Sequence, residues 1–192
     1  MSKIQINVVI GSAVVMLSTF FTSTSSMAQP NTIGQQTQQW AQWPTVGKAD
    51  LNVLFFDIYT SELRAPQGRY QVGVDITPHP LALSITYERD ISKQHLLKET
   101  KKQWQHLGYG QDQWQPWARR LGGIYPDVAN GEQLVYISDG QGGAFIYIRN
   151  DGVTEMRGHI DDEALNDAFL AIWLSPNTEY PKQRKQLIGM AQ

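Results

Sequence analysis

Arg89 closes a strictly alternating run. Leu81, Leu83, Ile85, Tyr87 and Arg89 project to one face, and Ala82, Ser84, Thr86 and Glu88 to the other. A positive charge thus ends an apolar row two residues after a phenol. The planar fork of arginine suits that place, because it can grip a carboxylate through two parallel hydrogen bonds. Arg149 follows Phe145 and Tyr147 in the same manner. Leu83, Ile85, Tyr87, Arg89, Tyr147 and Arg149 are therefore the candidate ligand-binding residues. A strand-end arginine also has a structural use, and Asp90 and Glu88 are at hand to pair with Arg89. Both readings stand at this point.

Other chemistry finds little support. The histidines His79, His95, His106 and His159 are never in metal-ligand spacing. His95 and His106, on one helix, would lie about 16 Å apart, while zinc–nitrogen bonds are about 2 Å. Asp161-Asp162-Glu163 is a carboxylate cluster placed where a helix should start, so capping is the expected role. Gly140-Gln141-Gly142-Gly143 precedes a strand rather than a helix and reads as a turn, not a phosphate cradle. Gly-x-Ser-x-Gly and Ser-x-x-Lys motifs are absent. The chain has no cysteine, which removes thiol catalysis and disulfides together. Neither a catalytic set, nor a metal site, nor a cofactor is expected.

The N-terminus has the grammar of a secretory signal. Lys3 supplies a basic start, Val8–Phe21 an apolar stretch, and Ser26-Met27-Ala28 a small-x-small cleavage site. The apolar stretch falls short of the roughly 20 residues a spanning helix needs. A cleaved signal, and a periplasmic protein beginning at Gln29 without a membrane span, is the expectation; a retained anchor is the alternative. Cleavage would remove Lys3 and no acid, leaving 15 basic and 18 acidic residues, a net charge of −3. That balance lacks the basic face of a nucleic-acid binder.

Residues 29–42 begin with a Gln-rich tract without periodicity (QPNTIGQQTQQ), read as a flexible leader. Residues 43–192 are long enough for one domain with a real core. A strand is expected from Ala49 through Tyr59, apolar on both faces around Leu54–Phe56, then a Pro66-Gln67-Gly68 turn and a return strand over Arg69–Val74. After Leu81–Arg89 the period becomes helical, capped by Asp90 or Ser92 and ended at Gly108; Lys93, Lys98, Lys101 and Lys102 form its solvated face. A second helical piece around Gln113–Leu121 carries Pro116 in its first turn and stops at Gly122-Gly123. Strands Gln133–Ser138, Ala144–Arg149 and Val153–Ile160 follow, separated by Asp-Gly and Asn-Asp-Gly hairpin signals. Asp161 is the expected cap of a helix over Glu163–Leu174 that buries Leu165, Phe169, Ile172 and Trp173. Pro176 ends it and Pro181 opens a last short helix. This order implies an antiparallel α+β domain.

Three blocks carry a family resemblance: VGKADLNVLFFDIY at 46–59, LSITYERDISKQHLLKETKKQW at 83–104, and GHIDDEALNDAFLAIWLSPNTEYPKQRKQLI at 158–188. Together they resemble the chalcone isomerase-like family in its bacterial exported branch. The resemblance implies a large antiparallel sheet covered on one face by helices, with a ligand cleft between them. Catalytic members close an ether ring in a flavonoid-type phenol. Their residue set does not carry over: the strand threonine falls near Leu54, the tyrosine and asparagine near Ser92 and Glu99, the late Ser/Thr near Ile172, and no arginine precedes Arg64. A non-catalytic branch holds a fatty-acid carboxylate with a basic residue and a tyrosine, roles that Arg89 and Tyr87 match. The expected function is binding of a hydrophobic small molecule such as a fatty acid or acyl lipid, without catalysis. An isomerase or lyase using the same cleft, and an envelope partner-binding module without ligand, are the alternatives.

Overall fold

Tyr59, Tyr87, Ile85 and Leu134 meet on one face of the sheet because of how its strands are registered. The computed structural model describes residues 33–53 and 56–190; the expected signal sequence and the expected placements of Leu54 and Phe55 lie outside them. Six antiparallel strands lie in chain order: β1 Thr45–Val53, β2 Phe56–Arg64, β3 Leu81–Tyr87, β4 Gln133–Ser138, β5 Gly143–Ile148 and β6 Thr154–Ile160. Directly opposed residues share a face, so the pairs Tyr59–Tyr87, Ile85–Leu134 and Leu134–Tyr147 align side chains across four strands.

That face is covered by four helices, α2 Lys93–His106, α3 Gln111–Ile124, α4 Glu163–Leu174 and α5 Pro181–Leu187. The main core lies between the layers. Tyr136, Phe145 and Phe169 form an aromatic triangle with ring centres 4.5–5.0 Å apart. The Trp104 indole, fully buried, donates to the Ala168 carbonyl at 2.8 Å and ties α2 to α4. α5 crosses β1 at Gly47, where a Cβ would collide with the carbonyl oxygens of Gln186 and Leu187. Only glycine permits that approach.

The opposite face divides in two. Over β3–β5 a smaller core of Ala82, Val135, Ile137 and Ile146 is covered by Trp43, with Trp40 against it. Over β1–β3 the same face is polar, where Glu62 binds Lys48 and Arg64 and Thr60 donates to Glu88.

Several expectations change. The apolar run read as one strand is a hairpin: β1 and β2 pair with each other and Val53 opposes Phe56. No glycine, proline or asparagine punctuates residues 53–56, so the reversal had no local signal. Arg69–Val74 forms no strand; the turn at Pro66–Gly68 leads into an irregular segment. From Ile33 onward the Gln-rich tract is helical as α1, Ile33–Gln39, and Gln36 is buried. Arg64 fixes the following turn by donating to the carbonyls of Ala41 and Trp43 at 3.1 and 2.9 Å. α3 starts at Gln111, which puts Pro116 in its second turn, and runs through Gly122-Gly123 to Ile124. Gly122 lies where a Cβ would sit 3.5 Å from Leu97 Cδ1, so its smallness serves helix packing rather than termination. Asp162, not Asp161, caps α4, accepting from the amides of Ala164 and Leu165. Ser92 caps α2.

Candidate functional site

A cavity of about 610 Å³ opens between α2 and the sheet. α2 turns Leu96, Thr100 and Gln103 toward it, at the i, i+4, i+7 spacing of one helical face. The sheet contributes Ile58, Tyr59, Ile85, Tyr87 and Leu134. Phe169, Ile172 and Trp173 close it from α4, and Tyr125, the residue after α3, from the side. Aliphatic and aromatic groups form most of this wall.

The polar groups fall into two zones. At the rim stand Arg89 and Asp90, both exposed, with Ser92 and His95 from the start of α2. Further along α2 the Lys102 ammonium lies 4.0 Å from Glu99 and 3.7 Å from Glu179. The Gln103 amide donates to Glu179 at 2.6 Å; that bond first, and Lys102 after it, holds the carboxyl below the usual glutamate range.

Inside, the polar groups of the described residues are uncharged. Burial pushes the phenols of Tyr59, Tyr87 and Tyr125 well above their ordinary range, so each keeps its proton. The Trp173 indole donates to the Tyr59 oxygen at 3.0 Å. Thr100 gives its proton to the Leu96 carbonyl at 2.8 Å, so the Tyr125 phenol is the donor in its 3.2 Å bond to Thr100. Tyr59 and Tyr87 stack edge to face, ring centres 6.4 Å apart.

Of the residues singled out in the sequence, Ile85, Tyr87 and Arg89 come together at this cavity. β3 ends at Tyr87, so Arg89 lies beyond the strand rather than on its face. Leu83 is fully buried in the core and is not part of the wall. Tyr147 and Arg149 are elsewhere. The Tyr147 phenol donates to the Glu132 carboxylate, and Arg149 pairs with Asp151 at 3.0 Å and Glu155 at 3.7 Å. The positions where the isomerase residues would fall, Ser92, Glu99 and Ile172, do line the cavity, but with different chemistry. Sequence reasoning missed Thr100, Gln103, Tyr125 and Trp173. Thr100 and Trp104 share one face of α2 at i, i+4 spacing, and which flank of that face meets the sheet depends on how α2 docks.

No family model matches the chain. A Haemophilus influenzae protein described as uncharacterized is 31% identical over 150 residues, which span 78% of this chain and 70% of that one. The chain belongs to the family of that bacterial protein. Among solved structures, the Arabidopsis thaliana fatty-acid binding protein superposes with a TM-score of 0.55 over 76% of this chain and 86% of its own, at 8% identity. At that identity the likeness concerns the fold. The fold is the chalcone isomerase-like one, an antiparallel sheet covered by helices, as the sequence blocks implied.

Proposed function

We propose that this protein binds a hydrophobic acyl compound, of which a free fatty acid is the simplest case, and does not isomerise it. The observation that carries the reading is the cavity itself. Its volume falls within the roughly 300–1,000 Å³ of small-molecule sites, its wall is mainly apolar, and an arginine stands at its rim. The chain of the ligand replaces water along Ile58, Ile85, Leu134 and Ile172, and its carboxylate remains near the surface at Arg89. Keeping the charge at the rim avoids the large desolvation cost of a buried carboxylate. The plant neighbour that shares the fold is a fatty-acid binding protein, which supports the same use here. The catalytic set of the flavonoid isomerases has no counterpart at Ser92, Glu99 or Ile172, which supports binding without ring closure.

The exported branch of the chalcone isomerase-like family is the proposed placement, with export directed by residues 1–28 and the mature chain in the periplasm. An intact mass matching residues 29–192 from a periplasmic fraction would agree; a membrane-bound species retaining the first 28 residues would not.

Native mass spectrometry of the purified full chain, before and after delipidation, tests the binding reading. Co-purifying acyl lipid, or stoichiometric uptake of hexadecanoic acid by the delipidated protein, is expected. Failure to carry or take up any acyl compound would remove it.

A further inference from the structure

Among the described residues four tyrosines are buried: Tyr87, Tyr125, Tyr136 and Tyr147. A buried phenol normally finds a hydrogen-bond partner, because leaving it without one forfeits the bond it would make with water. Tyr125 bonds Thr100, Tyr136 donates to Asn166 at 2.8 Å, and Tyr147 donates to Glu132. Tyr87 is only 4% exposed and lines the cavity, yet its phenol has no hydrogen-bond partner among the described residues. Tyr59, across the strand pair, does not relieve it: the rings meet edge to face with centres 6.4 Å apart and make no hydrogen bond to each other.

Nor is Tyr87 placed to serve a carboxylate at the rim. Arg89 is exposed and beyond the strand, whereas Tyr87 is buried within it. A plain hydrocarbon chain entering the cavity would displace water from Tyr87 and leave its proton with no acceptor.

We infer that the natural acyl ligand is oxygenated, carrying a keto or hydroxyl oxygen part-way along its chain that accepts the proton of Tyr87. This rests on the acyl-binding reading and adds the ligand's chemical class. The phenol lies deep, where a carboxylate would have to give up its hydration, so its match is an uncharged acceptor on the chain rather than the carboxylate.

Affinities of the full chain for hexadecanoic acid and for a panel of its mono-keto and mono-hydroxy derivatives, oxygenated at successive positions, test it. One position should bind about tenfold more tightly than the plain acid, the size expected when a buried donor gains its acceptor. Tyr87→Phe should erase that preference, so that the variant binds the favoured derivative no more tightly than it binds the plain acid. Equal affinity of wild type across the whole panel would overturn the inference while leaving acyl binding intact. So would a Tyr87→Phe protein that loses plain and oxygenated acids alike, since the phenol would then serve the head group or the wall. If no acid binds at all, the acyl reading falls and this inference with it.

Discussion

The Trp173 indole on α4 donates to the Tyr59 phenol on β2 across 3.0 Å, joining the helical layer to the sheet at the wall of the cavity. The bond spans 114 residues of chain and holds the last turn of α4 over the site. Tyr59→Phe would keep the ring and strand the indole proton in a partly buried position. A loss of about 1–3 kcal/mol is expected, the usual cost of an orphaned buried donor. Urea unfolding at constant m-value measures it. An unchanged midpoint would mean the bond is not made in solution.

Phe169 contacts Tyr136, Phe145 and Trp173 with ring centres 4.8–5.2 Å apart and is 2% exposed. Phe169→Ala removes the centre of that cluster and one wall of the cavity. A destabilisation of about 3–5 kcal/mol is expected, as for large aromatics in cores. A value below about 1 kcal/mol would show that α4 does not pack on the sheet as described.

Much of this architecture was readable because burial is one-sided and so leaves a period. β3 alternates cleanly, and Leu81, Leu83, Ile85 and Tyr87 all enter the main core while Ala82 enters the smaller one. The β4–β6 hairpins were marked by glycines; Gly140 and Gly152 both adopt the positive φ such turns require. The β1–β2 reversal was hidden because its residues are apolar on both sides of the turn. α1 was hidden because glutamines suit a solvated tract as well as a short helix held by tertiary contacts. The candidate site was legible only along β3. A strand pattern places Tyr87 and Arg89 near each other, but it cannot tell that Arg149 has Asp151 and Glu155 for partners, or that Thr100 and Gln103 face Tyr87's side of the sheet.

Glu132 accepts from the Tyr147 phenol and from the Ala129 amide, the latter at 2.7 Å. The Tyr147 bond is the main reason its carboxyl lies below the ordinary glutamate range, with burial opposing and the backbone amides adding to it. A depressed carboxyl contributes stability that is fully present above the unfolded value, about 4.3, and is lost as pH falls through the lower folded value. Tyr147→Phe removes the main cause, so its stability deficit should be largest near neutral pH and shrink as pH falls from about 6 to about 3. Urea midpoints of both proteins across that range measure it. A deficit that does not change with pH would show that the phenol contributes by packing alone.

Arg89 decides between a ligand-holding and a purely structural strand end. It stands at the cavity rim and already makes an interaction within the free protein, so an incoming carboxylate must compete for it. A charge-assisted hydrogen bond contributes about 1.5–3 kcal/mol, roughly ten- to a hundredfold in affinity. Arg89→Gln should therefore weaken hexadecanoic acid by that factor and leave hexadecanol almost unaffected, because the alcohol offers no charge to the guanidinium. Calorimetric titration of both ligands into wild type and variant separates the effects. Loss of thermal stability with acid binding intact would mean that the guanidinium only fastens the end of β3. The carboxylate would then have to be sought near Lys102, which would first have to be released from Glu99 and Glu179.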